Sequence, residues 1–345
     1  MSNARQEFLD KLEEIEPRLR RAFEEAVREL QRGAKFEELR QAIAREDVEA
    51  AFRALNIDEA VWSPYLDEIR AAFNEGGTFE TSSIPKSAEV LGVIARFDGN
   101  HPRAVEFARE HAAERITGQD GFIQEARRLV RQVIVDAAEE NRPPRETALD
   151  IIGRRQPNGE RAPGLLGLST NQEQYVASMR RALQTPEGMR DYLTNRWKRR
   201  DRRFEPLIRR ALRDERVLTL TELNKITGAY TQRLLKLRGE TIARTESLGA
   251  MNAGRYEGVR QMLEKNGLPN DAVTMVWQST PSKRTRDTHM AMNNQEVPFG
   301  TPFTTFKHHQ LYYPGDTKLG APPEEIINCR CTARSKIDFT RMRRG

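Results

Sequence analysis

Apolar residues at Phe8, Leu12, Ile15, Leu19, Phe23, Val27 and Leu30 recur every third or fourth position, with charged residues filling most of the gaps. This period predicts an amphipathic helix, kinked or restarted at Pro17, whose ring interrupts the hydrogen-bond ladder. Similar patterns run through 36–55 and 65–73, and a Gly-, Ser- and Thr-rich stretch from Gly76 to Ser83 then predicts a loop. Helix resumes after Asn100-His101-Pro102. Over 119–140 the residues Phe122, Ala126, Leu129, Val133 and Val135 to Ala137 lie near one side, and Pro143-Pro144 closes the pattern.

The stretch GRRQPNGERAPGLLGL, 153–168, has the Gly and Pro density of a linker or exposed hairpin and divides the chain. Beyond it, Ser169 with Gln172 and Thr219 with Glu222 are capping boxes, each opening a helix. Residues 241–263 remain helical in pattern, although Gly249, Gly254 and Gly258 each cost roughly 1 kcal/mol there relative to Ala. Glycine kept in a helix points to close packing. The alternation around Val273, Met275 and Trp277 predicts a half-buried strand, and Thr280-Pro281 predicts a short helix carrying Arg286 and His289 one turn apart. At the end, Cys329, Cys331, Ala333, Ser335, Ile337 and Phe339 fall on one face of a strand and Arg330, Thr332, Arg334, Lys336 and Asp338 on the other. The expected architecture is α+β: a helical region over 1–152, a linker over 153–168, a basic helical region over 169–238, and a C-terminal module of short strands and helices over 239–345.

Composition narrows this picture. With 37% hydrophobic and 31% charged residues in 345, the chain suits two or three modest domains better than one large core. Its apolar runs are far short of the eighteen or so residues that a bilayer span requires, so no membrane partner is expected. The net charge of +6 is unevenly distributed. Between Arg190 and Arg216 the residues Arg196, Lys198, Arg199, Arg200, Arg202, Arg203, Arg209 and Arg210 form a basic stripe suited to phosphates or to an acidic protein surface.

Several constellations could carry chemistry. His289, Cys329 and Cys331, with His308 or His309 as a fourth ligand, have the donor types of a tetrahedral zinc site. The C-x-C spacing favours a core-facing cysteine pair instead, and on that reading no cofactor is required. A cysteine nucleophile would need a base and an orienting group, and His289 alone is thin support. Arg244, Ser279-Thr280 and Glu324 or Glu325 invite comparison with an ADP-ribosyltransferase site, but Glu324-Glu325 is not the E-x-E turn that such a site needs. The favoured expectation is structural: Glu240 pairing with Arg244 across a helical turn, and Arg286, His289, Asp316 and Arg330 forming one polar latch between helix, loop and last strand.

The islands RGETIARTE (238–246), TRDTH (285–289), YPGD (313–316) and NCRC (328–331), in this order, resemble the head-morphogenesis family typified by phage Mu protein F. The likeness spans about 165–340. Its signature falls on Arg244, Thr245, Glu246, Asn252, Arg286, His289, Pro314, Gly315, Asp316, Asn328, Cys329, Arg330 and Cys331, which the resemblance implies to be structural. It further implies a minor head protein of a tailed bacteriophage, non-enzymatic, present in host cytoplasm during assembly and then in the virion head. Portal or major capsid protein would be its partner, with double-stranded phage DNA as a further contact. The alternatives are an ADP-ribosyltransferase-like enzyme or a stand-alone DNA-binding protein carried in the virion.

Overall fold

The computed structural model describes residues 3–85, 92–119, 121–156, 159–194 and 197–338. Helices α1 (Asn3–Gly33), α2 (Phe36–Ala44), α3 (Val48–Ala54), α4 (Ser63–Ser82), α5 (Pro102–Ala112), α6 (Phe122–Glu139) and α7 (Pro144–Ile152) precede the Gly- and Pro-rich stretch. After it come α8 (Thr170–Ala182), α9 (Pro186–Leu193), α10 (Glu205–Arg213) and the 46-residue α11 (Leu220–Lys265). The remaining elements are β1 (Val273–Gln278), α12 (Asp287–Ala291), β2 (Glu296–Pro298), β3 (Phe303–Thr304), β4 (Gln310–Leu311), α13 (Pro323–Ile326) and β5 (Thr332–Ile337). The class is therefore α+β, mostly helical with a small C-terminal set of antiparallel strands.

Contacts gather the chain into two compact units, one of Met1–Ala22, Pro64–His111 and Glu240–Gly345, the other of Phe23–Ser63 and Ala112–Gly239. This differs from the consecutive division expected at 152, 168 and 238. The physical reason is that α1 and α11 are long enough for each to supply apolar residues to both units, so sequence neighbours do not define a core.

In the second unit, Trp62 stacks on Phe122 at 4.3 Å, with Phe23 tilted against Phe122 at 5.3 Å. The Arg238 guanidinium lies 5.6 Å from the Phe122 centroid, close enough for a cation–π attraction, and the same side chain donates to Gly167 O at 3.0 Å and pairs with Glu125. Residues 153–168 are not a free linker. Leu165 N and Leu166 N donate to Asp150 O and Ile151 O at 2.8 and 2.9 Å, and Leu165, Leu166 and Leu168 are buried, which fastens the segment to α7. Both capping boxes form: Gln172 N donates to Ser169 Oγ at 3.3 Å and Glu222 N to Thr219 Oγ1 at 3.2 Å, with the reciprocal side-chain bonds present. Burial also raises the Glu173 carboxyl to about 7, with Asp136 as a second, coulombic cause.

The first unit contains the small sheet, ordered β2-β1-β5 and antiparallel throughout, with Met275 opposite Ser335 and Trp277 opposite Ala333. Central position explains why Val273, Met275, Val276 and Trp277 are all buried where simple alternation predicted a half-buried strand. In β5 the expected alternation holds after Thr332: Arg334 and Lys336 are exposed, Ser335 and Ile337 half-buried. Phe339 lies outside the described residues. The short helix expected near Thr280 begins at Asp287, because Ser282–Thr285 forms a turn and Arg286 follows it in extended conformation.

Two expected interruptions are absent. Helix α1 runs through Pro17, and α4 continues through Gly76 and Gly77 to Ser82. Those glycines face α11, where a Cβ on Gly254 would stand 1.8 Å from Phe73 O and one on Gly76 2.1 Å from Met251 O. Two helix backbones thus meet where neither carries a side chain. Gly254→Ala should accordingly lower unfolding stability by about 1–3 kcal/mol through forced separation of α4 and α11. Gly228→Ala, in the same helix with nothing within 4 Å of the new methyl, should raise it by about 0.4–1 kcal/mol. Urea unfolding of both variants tests this, and equal effects would refute the close approach of the two backbones.

Candidate functional site

The sequence islands converge on a buried group. His289, on α12, is 1% exposed, and Cys329 and Cys331, just ahead of β5, are 1% and 2% exposed. His289 Nδ1 lies 3.5 Å from each cysteine Sγ, and the three ligand-capable atoms all fall within 4.8 Å of one another. On the far side of the ring, Nε2 stands 3.1 Å from Glu325 Oε2, within ion-pair reach but off the N–H axis, so no aligned hydrogen bond forms. Glu325 also accepts from Thr288 Oγ1 at 2.8 Å and contacts His309 Nδ1 at 3.0 Å. The edge of Trp277 closes one flank, 5.1 Å between ring centres.

The two thiols titrate as a linked pair. Cys331 is pulled well below the usual thiol range by the Cys329 hydrogen bond and then by His289, whereas its partner Cys329 is pushed up by that same bond and by burial. Burial opposes the ionisation of Glu325, but hydrogen bonds from His309 and Thr288 hold it below its ordinary value. Neither histidine expected as a fourth ligand joins the group. His308 is exposed in a left-handed turn (φ 64°), and His309 is turned to Glu325.

The remaining signature residues tie backbone segments together. Asn252 Nδ2 donates to Pro314 O at 3.0 Å, fastening the PGD loop to α11. Asp316 accepts from Tyr312 N at 2.8 Å and Lys318 N at 3.0 Å, bracing that loop from within, while its burial raises its pKa. Asn328 N donates to Thr245 Oγ1 at 3.1 Å, and Arg244 reaches Asn328 Oδ1 at 3.3 Å. Arg330 makes a two-pronged pair with Glu16 of α1 at 2.6 and 3.3 Å, Arg286 donates to Ile327 O, and His111 Nε2 sits 2.8 Å from Glu246 Oε2. These are separate ties. Arg286, His289, Asp316 and Arg330 do not join in the single latch expected of them: Arg286 and His289 both turn to residues 325–331, whereas Asp316 turns to its own loop and Arg330 to Glu16. Glu240, expected against Arg244, instead faces Arg20 at 3.5 Å, and Arg244 lies 3.9 Å from Glu16.

Of the groups considered for ADP-ribosyl transfer, Glu325 is engaged by the two histidines and Thr288, Ser279 Oγ by His289 O, and Thr280 Oγ1 by Arg330 O, while Glu324 is exposed. A cavity of about 450 Å³ in the same unit is lined by other residues, among them Arg5, Glu80, Arg255 and Arg334.

In the basic stripe, Lys198, Arg199, Arg202, Arg203, Arg209 and Arg210 are exposed. Arg200 is not: it is 7% exposed and bonded to Glu205 Oε1 at 3.0 Å, so it is removed from the set of phosphate contacts. Arg196 lies outside the described residues. Asp201, 2% exposed, accepts from Arg203 through both oxygens, and Glu205 lies 3.3 Å from Arg209, so these two arginines are partly neutralised, whereas no acid is paired with Lys198, Arg199, Arg202 or Arg210 among the ion pairs of the described residues.

Residues 209–334 match the family model described as Phage Mu protein F like protein. Neither the curated proteins nor the solved structures gave a match. The Mu F-like segment thus opens at α10, later than the start near 165 suggested by the islands, and ends within β5. It contains every signature residue from Arg244 to Cys331. Outside it, no sequence pattern marks Glu16 as the partner of Arg330 or His111 as that of Glu246; both are single charged positions in amphipathic helices. Glu325 was visible only as an acid near the end, with nothing in its spacing to join it to His289.

Loss of one loop tie should be measurable. Asn252→Ala leaves the buried Pro314 carbonyl without its donor and should cost about 1–3 kcal/mol in urea unfolding. A variant as stable as wild type would show that this bond does not hold the loop.

Proposed function

We propose that the chain is a minor head protein of a tailed bacteriophage that acts without catalysis during head morphogenesis, docking on portal or major capsid protein. The observation that carries this is the Mu F-like match across 209–334, which points to phage head morphogenesis. It is supported by the use to which the signature side chains are put. Thr245, Asn252, Arg286, Asp316, Asn328 and Arg330 are engaged in internal hydrogen bonds or ion pairs, the usage expected of a docking module that must keep its shape. The exposed arginines of 198–210 supply a surface for packaged double-stranded DNA, with counterion release as the driving term.

The deciding experiment is mass spectrometry of purified virions with portal pull-down from infected lysate. The expected outcome is the chain in the particle at low copy number, co-purifying with a head protein; a chain absent from particles and head precursors overturns the proposal.

The DNA contact is tested separately. Replacing Lys198, Arg199, Arg202 and Arg210 together by Gln should flatten the salt dependence of duplex binding by about 0.9 in log–log slope for each phosphate no longer neutralised, leaving unfolding stability unchanged. An unaltered slope rejects the basic surface as the DNA face while leaving the head assignment standing.

A further inference from the structure

We propose that His289, Cys329 and Cys331 bind a single zinc ion through Nδ1 and the two sulfurs, with Glu325 behind the ring as the outer carboxylate and a water completing the tetrahedron. Tetrahedral zinc with Zn–S near 2.3 Å and Zn–N near 2.0–2.1 Å sets its nitrogen and sulfur ligands about 3.6 Å apart. Both Nδ1-to-sulfur distances are 3.5 Å. A proton on Nδ1 can point at only one sulfur, so two equal separations suit a shared cation better than a thiol–imidazole hydrogen bond.

Charge supports the same assignment. Two thiolates and a neutral imidazole cancel the divalent ion, leaving no net charge in a pocket where all three ligands are at most 2% exposed. Soft sulfur donors exclude magnesium and calcium. Glu325 stands 3.1 Å from Nε2, where its negative charge favours the proton on that nitrogen over one on Nδ1 even without an aligned hydrogen bond, and Thr288 and His309 fix the carboxylate in turn. The ion would pin α12 to the segment entering β5 by a bond stronger than any of the surrounding hydrogen bonds. Its role is structural: all three ligands are buried, and the nearby carboxylate of Glu325 lies on the Nε2 side of the ring, opposite the nitrogen that faces the sulfurs.

The test uses the full chain purified under reducing conditions. Elemental analysis should find roughly one zinc per chain. Cobalt substitution should give the thiolate-to-metal charge-transfer band and visible d–d bands of a tetrahedral sulfur-containing site, and a strong chelator should lower the melting temperature. Glu325→Gln should keep the stoichiometry while weakening zinc about 10–100-fold, the signature of an outer-shell partner. Wild-type protein that holds no zinc and gives no cobalt spectrum overturns the proposal, as does a cobalt spectrum that survives Cys331→Ser combined with His289→Gln. The wild-type measurements decide the matter even if those variants fail to fold.

Discussion

Backbone meeting backbone along α11 is the constraint from which the rest of the first unit follows. A side chain at Gly254 or Gly76 would collide with a carbonyl on the opposing helix, and Gly258 faces Gly77 in the same way, 3.0 Å from its oxygen. Further back along α11, Gly249 abuts Gly315, which has φ +87° and where a Cβ would stand only 2.9 Å from the Gly249 Cα. Glycines that weaken α11 as an isolated helix therefore allow α4 and the PGD loop to settle on it. The helix tolerates them because packing, not propensity, supplies most of its stability.

Once the PGD loop is seated, the other ties have fixed places to reach. Asn252 closes on Pro314 one turn from Gly249, and Thr245 receives the Asn328 amide nearly two turns before Asn252, so one face of α11 holds both the loop and the NCRC segment. Cys329 and Cys331 are thereby delivered beside His289, itself carried by a helix of five residues too short to hold its position unaided. The group of one imidazole and two sulfurs depends on that chain of placements.

Parts of this were legible in the residues. Period and capping marked the helices of the first 152 residues, both capped starts and the terminal strand, because those signals are local and the structure satisfies them locally. The same local logic failed at Gly76–Ser83, where composition suggested a loop and close packing imposed a helix. At 153–168 Gly and Pro suggested a linker or an exposed hairpin: Arg155 and Arg161 form an antiparallel bridge as in a hairpin, while three buried leucines and backbone bonds to α7 fasten the segment. The basic stripe was visible as a run of like charge, but only burial showed that Arg200 is turned inward to Glu205.

By itself, then, the sequence determined the periodic and capped helices, the first and last strands, the α+β class, the Mu F-like signature and the donor set His289, Cys329 and Cys331, since each is written in period, spacing or residue identity. Tertiary structure alone decided the partners: Glu16 for Arg330, Pro314 for Asn252, Glu325 for His289, and Glu325 rather than the cysteines for His309. It also decided the two compact units, whose segments interleave along the chain. The reason is physical. Helix period and caps act over a few residues, whereas buried polar pairing and backbone approach are settled by which distant segments share a core, and no local pattern encodes that distance.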